Sequence, residues 1–333
     1  MLLFLASVLE QLDLALEHVV KGDVHNARFA LMLTDNALEL VLHQIALDKR
    51  SELKAFSWRN EIYPHQTALD KALGQSFGEK VSFARLIDKM SEETSQTARI
   101  MHGFRNEVYH VGLQHQTILP TLAKFYFHVS CSYLSAYRPN SLGWSLNQKI
   151  PERAAKYIKE HPLLSPSAVD DFSDGCELLA NSLGYDAAAT ILVLADHLDE
   201  VIEEQNTCID ILAEGAYAHQ RTTRDDAVIR CQTWPLVFSA EGIAFANKRG
   251  FTGNRFEFIE WLGANYPLKF RGDPVQNWRR RAGKIRSEKN PHAVLRHFKA
   301  FMSETESIRH SIMESAAACE AEIESAIDRA RGK

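Results

Sequence analysis

At 333 residues the chain is about twice the length of a typical single domain, so two domains, or one with a large helical extension, are expected. Its 45% hydrophobic and 24% charged residues are those of a soluble globular protein, and no run approaches the roughly 18 consecutive apolar residues of a membrane helix. A net charge of −5 excludes a chain that coats nucleic acid by bulk attraction, while leaving room for a local basic groove.

The opening Met1-Leu2-Leu3-Phe4-Leu5 is apolar, but it lacks a basic start and meets Glu10 and Asp13 early, which predicts a buried helix and no signal peptide. Leu5, Val8, Leu9, Leu12, Leu16, Val19 and Val20 then step by three and four, the stripe of an amphipathic helix over residues 2–21 that Gly22-Asp23 ends. A second helix is expected over 26–49, with Phe29, Leu33, Ala37, Leu40 and Val41 on one face and Asp35, Glu39 and Asp48 elsewhere around it. The two read as a helical hairpin. From 51 to 78 the pattern is broken by Trp58, Pro64, Gly74 and Gly78, leaving room for one short helix. Helix returns over 82–90, and a long helical region runs from 98 to 137, bent near Gly112 and Pro120.

Arg138-Pro139-Asn140-Ser141-Leu142-Gly143 carries the breakers of a domain border. Beyond it, helices are expected over 151–160, 168–183, 187–204 and 208–219, then a less regular stretch over 225–266. In the last helix Ile308, Ile312, Ala316, Cys319, Ile323 and Ile327 form a heptad-like seam, suited to packing or to oligomerisation. No segment alternates with period two. The expected fold class is all-α, with a helical bundle over residues 1–143 and a second, mostly helical domain over 144–333.

The residues with the most chemistry are Arg105-Asn106-Glu107-Val108-Tyr109-His110. Cleaving RNA without a metal needs an acid or base near the 2′-hydroxyl and leaving oxygen, and a cation for the charge that develops on phosphate. A histidine titrates near neutrality, and an arginine offers a charged fork that matches phosphate oxygens. At ~100° per residue, Arg105 and His110 are splayed by about 140° on one helix. With Ile100, Phe104, Val108 and Val111 as the core-facing stripe, Arg105, Asn106, Tyr109 and His110 fan across the opposite face, toward solvent or a partner. Asn106 and His110 are four apart, the spacing at which an amide can orient an imidazole. Two such faces meeting across a two-fold axis would line one cleft with two arginines and two histidines.

Arg-Asn-x-x-x-His on a helix resembles the Arg-x4-6-His motif of HEPN domains, the helical ribonucleases of prokaryotic toxins, phage-defence proteins and CRISPR effectors. The run Leu33-Thr34-Asp35-Asn36-Ala37-Leu38-Glu39-Leu40-Val41-Leu42 is similar to the second helix of that family. The resemblance covers residues 1 to about 143. It implies a metal-independent endoribonuclease without cofactor that acts on RNA as a homodimer or higher homo-oligomer and leaves a 2′,3′-cyclic phosphate. By the same resemblance His110 is the general acid or base, Arg105 the phosphate clamp and Asn106 the orienting residue. Tyr109 and His102, on one sector of the helix, are candidate supporting residues, the alternative for His102 being a surface or hydrogen-bonded histidine. Many toxin members carry a tyrosine two residues after the histidine; Gly112 stands there in this chain. The family setting implies an antitoxin or defence-system partner. The alternative is a catalytically inactive module of the same family that binds RNA, nucleotide or a protein partner.

Trp278-Arg279-Arg280-Arg281-Ala282-Gly283-Lys284-Ile285-Arg286 is the most basic tract. It is either a solvated face or a holder of RNA phosphates through Arg279, Arg280, Arg281, Lys284 and Arg286, with Trp278 for stacking. Asp35 and Glu39 are either paired carboxylates or ion-pair partners within the bundle. Five cysteines, Cys131, Cys176, Cys208, Cys231 and Cys319, are scattered without metal-ligand spacing and fit a reducing cytoplasm. The histidines show no zinc spacing, so no metal is expected, and no phosphate loop or dinucleotide fingerprint is present.

Overall fold

The computed structural model describes residues 1–56, 62–110, 116–140, 149–158 and 167–331. Among them are thirteen α-helices and no strand, so the protein is all-α. Trp58, Gly112, the breakers at 141–143 and the end of the helix expected over 151–160 lie outside the described residues. The contacts divide the chain into two compact units, Met1–Leu194 with Glu288–Arg296, and Ala195–Ser287 with His297–Lys333.

In the first unit, α1 (Leu2–Lys21) and α2 (Val24–Ala55) form the expected hairpin. Gly22 closes α1 at φ 70°, a left-handed conformation that costs glycine little, and its N–H reaches the Val19 carbonyl. Asp23 then caps α2, its carboxylate accepting from the Asn26 N–H at 2.9 Å. Leu5, Val8, Leu9 and Leu12 are buried as expected, but Leu16 is half-buried and Val20 is 68% exposed. In the last turn of α1 Val19 stays buried and Val20 turns outward.

α2 is the central helix, packed by α1, by α3 (Gln66–Ala72), by α4 (Phe77–Leu86), by α5 (Glu92–His110) and by α6 (Leu119–Leu134). Its buried face corrects the sequence reading. Leu31, Thr34, Asp35, Leu38, Val41, Leu42 and Ile45 are inside, whereas Phe29 is exposed and Leu33 and Leu40 are half-buried. A helix enclosed on several sides buries more than one stripe, so the apolar count on a single face misplaces its orientation. α4 starts at Phe77, five residues before the start expected, because the Ser76 hydroxyl caps it by accepting from the Glu79 N–H.

The unit continues past residue 143. A 3₁₀ turn at Ala154–Lys156 is tied to α1 by Asp13, and α7 (Ser167–Ser182) packs on α1 and α6. Residues 288–296 belong to it as well: His292 Nδ1 lies 2.7 Å from Thr97 Oγ1, and Arg296 donates to Gln96 at 2.9 Å.

α8 (Ala187–Glu214) and α13 (Pro291–Ala330) each contain a unit border. The break expected between 204 and 208 is absent, because burial of Ile202, Gln205 and Ile209 outweighs the few tenths of a kcal/mol that Asn206 and Thr207 cost in a helix. The rest of the second unit is α9 (Arg224–Val237), α10 (Ala240–Lys248), α11 (Arg255–Asn265) and α12 (Val275–Ser287). Its core contains Ile209, Val228, Leu262, Trp278, Phe298 and Phe301. From the heptad-like seam Ile308, Ile312 and Ala316 are buried, and Ile327 is exposed. Among the described residues no single helix is long and apolar enough to cross a membrane.

Candidate functional site

The site grows from the inner face of α5. Thr97, Ala98, Met101 and Phe104 are its buried positions there, and Ile100 is only half-buried. Arg105 follows Ala98 by seven residues and Met101 by four, so it shares their side of the helix. Its placement on an outward face is therefore corrected: the side chain is half-buried and turned toward α2.

What it meets is Asp35, which is 1% exposed. Asp35 sits one turn after Leu31 and one turn before Leu38, on the core face of α2. Three side chains from two other helices approach its carboxylate. The Tyr126 hydroxyl of α6 donates to Oδ1 at 2.8 Å. His102 Nδ1, on α5, is 2.8 Å from Oδ2, and Arg105 Nε lies 3.9 Å from the same oxygen. The first two distances are hydrogen bonds and the third is an electrostatic contact. A carboxylate out of water is costly unless donors and charge converge on it, and here they do.

These contacts define the local chemistry. Because a carboxylate accepts, His102 donates from Nδ1, and in the neutral ring Nε2 then carries the lone pair. The ring is further held by Phe77, stacked 4.1 Å away with 2° between the planes. Burial, and then the negative charge of Asp35, push the Tyr126 phenol well above its ordinary value, so it stays protonated near neutrality and can donate to the carboxylate. Arg105 also donates from Nη1 to the Asn106 side-chain oxygen at 2.9 Å. The Asn106 oxygen is thus engaged by Arg105. One turn further along α2, Glu39 accepts from the buried Lys80 at 2.9 Å, so Asp35 and Glu39 each have their own cationic or donor partners.

His110 is the last residue of α5. The side chains of Tyr109 and His110 lie outside the described residues. The side chains that the fold brings together are therefore Asp35, His102, Arg105, Asn106 and Tyr126. Of these, sequence reasoning singled out Arg105, Asn106 and His102, weighed Asp35 among paired acids, and missed the hub role of Asp35. The signal was present: an acid at the Leu31-Asp35-Leu38-Leu42 spacing interrupts an apolar stripe where a charge needs partners.

The basic tract on α12 is a different structure. Trp278 is 1% exposed, with Phe270 and Phe301 edge-on at 6.0 Å each, so its expected availability for stacking on a base is corrected. Arg279 pairs with Glu203 at 2.8 Å, Arg281 with Glu304 at 2.8 Å, and Arg286 with both Asp196 and Asp199 at 2.6 Å. Arg280 and Lys284, four residues apart, are exposed. Each of the three pairing arginines has an acid of its own within hydrogen-bond reach.

In comparisons with known proteins, no family model, no curated protein and no solved structure matches this chain.

Proposed function

We propose that the protein is a metal-independent endoribonuclease of HEPN type. The supporting observation is that one buried carboxylate, Asp35, lies 2.8 Å from the His102 imidazole and 3.9 Å from the Arg105 guanidinium, orienting an imidazole and a permanent cation on neighbouring turns of the motif helix. In the proposed reaction a histidine nitrogen takes the proton of the 2′-hydroxyl, that oxygen attacks phosphorus, and the 5′-oxygen leaves with a proton. The products are a 2′,3′-cyclic phosphate and a 5′-hydroxyl. Arg105 offsets the charge that builds on the phosphate oxygens, and His110 exchanges the protons. Asp35 is the positioning residue for Arg105, and His102 shares the same carboxylate oxygen. A second copy of α5 across a two-fold axis completes the site, since about 140° separates Arg105 and His110 on one helix. The setting that goes with the reading is a toxin or antiphage effector cutting cellular RNA.

A second reading is a catalytically inactive module of the same architecture. It is favoured by the inward turn of Arg105, whose guanidinium already faces Asn106 and Asp35.

The two readings separate in one experiment. Wild type, Arg105→Ala and His110→Ala are incubated with total RNA and tRNA in EDTA, and the product ends are mapped while growth of expressing cells is followed. The ribonuclease reading expects cleavage by wild type to cyclic-phosphate ends and a loss of at least ~10²-fold in each variant. Equal cutting by the variants, or RNA binding without cutting by wild type, removes it.

A further inference from the structure

Arg105 and Asn106 follow His102 by three and four residues, the spacing that sets side chains one turn apart on a single face of α5. Their meeting point on α2 shows the same placement. The Oδ2 atom of Asp35 has His102 Nδ1 at 2.8 Å and Arg105 Nε at 3.9 Å. An imidazole and a permanent cation therefore stand side by side at one carboxylate oxygen.

Other histidines of the first unit are held differently. His18 meets the Asn26 side-chain oxygen at 2.7 Å, His128 the Ala180 carbonyl at 3.0 Å and His292 the Thr97 hydroxyl at 2.7 Å, all of them neutral groups. His102 is the histidine of that unit, among the described residues, that a buried carboxylate holds. The consequence for the ring is chemical. Its Nδ1–H is committed to Asp35, so the neutral ring keeps its lone pair on Nε2. Among the described residues nothing bonds to Nε2, and that atom is not sealed from water: the side chain keeps 23% of its surface open. Phe77, stacked at 4.1 Å, fixes the plane of the ring. A carboxylate behind an imidazole also offsets the positive charge that the ring gains on accepting a proton. A fixed ring, a lone pair and access to it are what a general base requires.

We propose that His102 is the general base that takes the proton of the 2′-hydroxyl. The assignment rests on the ribonuclease reading and divides the proton transfers between two histidines. With the scissile phosphate on Arg105, the attacking hydroxyl belongs to the adjoining ribose, within the one-turn separation of the two side chains. Nε2 takes the hydroxyl proton and the freed oxygen pair forms the new bond to phosphorus. The bond from phosphorus to the 5′-oxygen breaks as that oxygen takes a proton from His110. Asp35 is then the positioning residue of the base as well as of the cation.

His102→Asn separates chemistry from architecture, because the amide nitrogen of asparagine stands where Nδ1 stands and still donates to Asp35, while nothing replaces Nε2. On a labelled tRNA in EDTA the variant should lose at least ~10²-fold in kcat, with KM within about twofold of wild type. Nitrogen-15 NMR of the wild-type full chain above neutral pH should place the ring proton of His102 on Nδ1 and leave Nε2 bare, a measurement that needs neither RNA nor a folded variant. With an active wild type, a smaller loss in the asparagine variant, or a loss carried by KM, overturns the assignment and leaves the ribonuclease reading standing. A ring proton found on Nε2 does the same. A wild type that cuts no RNA removes the ribonuclease reading, and the assignment with it.

Discussion

Two clusters of charge in this protein are built in opposite ways. At Asp35 a single acid is buried, and donors from α5 and α6 converge on it across 67 to 91 residues of sequence. On α12 the arginines are spread along the helix, and Arg279, Arg281 and Arg286 each reach their own partly or largely exposed acid. A buried centre couples its members, because losing one leaves the others unpaired in low dielectric. Exposed pairs are screened by solvent and separable. Conspicuous charge in a sequence is therefore a poorer guide to energetic importance than one acid in an apolar stripe.

The largest expected effect lies beneath the exposed pairs. Trp278→Ala should cost about 4 kcal/mol in urea unfolding, by emptying the space between Phe270 and Phe301. A loss below about 1 kcal/mol would mean that α12 is not anchored by its aromatic side. Asp35→Ala should cost about 3 kcal/mol, and Tyr126→Phe about 1 kcal/mol. The double variant should be less destabilised than the sum of the two, because the phenylalanine ring that replaces Tyr126 has no hydroxyl to orphan once Asp35 is gone. Additive losses would show that the hub is not a coupled unit.

A third acid sharpens the comparison through pH. Burial alone would raise the Asp13 carboxyl, but hydrogen bonds from Tyr157, Lys156 and Arg153 outweigh it and hold it below the ordinary aspartate value. A lowered folded-state value contributes stability above the unfolded value near pH 4, and that contribution is lost as pH falls through the folded value. Melting temperatures between about pH 5 and pH 3 should therefore drop more steeply for wild type than for Asp13→Asn. Parallel curves would assign the acid sensitivity elsewhere. The smallest effect is expected of Arg279→Ala, which breaks only the exposed pair with Glu203 and should leave the unfolding midpoint unresolved from wild type at physiological salt. A clear shift there would erase the contrast between the two clusters.

Helix content was legible over the first hairpin and α7 because apolar steps of three and four, glycine stops and side-chain caps are local signals, whereas α9, α10 and α11 fall in a stretch read only as less regular. Gly22, Asp23 and the stripe from Leu5 to Leu12 place the first hairpin to within a few residues. The site was legible only in part. Arg105 and Asn106 stand out by type and spacing, but whether Arg105 faces out or in depends on which side of α5 meets α2, and no local pattern carries that information.

The chain's own periodicity determined that this protein is all-α and where α1 and α7 begin and end, since the 3.6-residue repeat and the caps are properties of neighbouring residues. Tertiary structure alone decided which acid is buried, which arginines are paired and where the units divide. α2 is enclosed on several sides, so Asp35 enters the core at the meeting of α2, α5 and α6. Two of the three unit borders fall inside the continuous helices α8 and α13, where packing, not a break in the backbone, separates the units, and the third lies between α12 and α13.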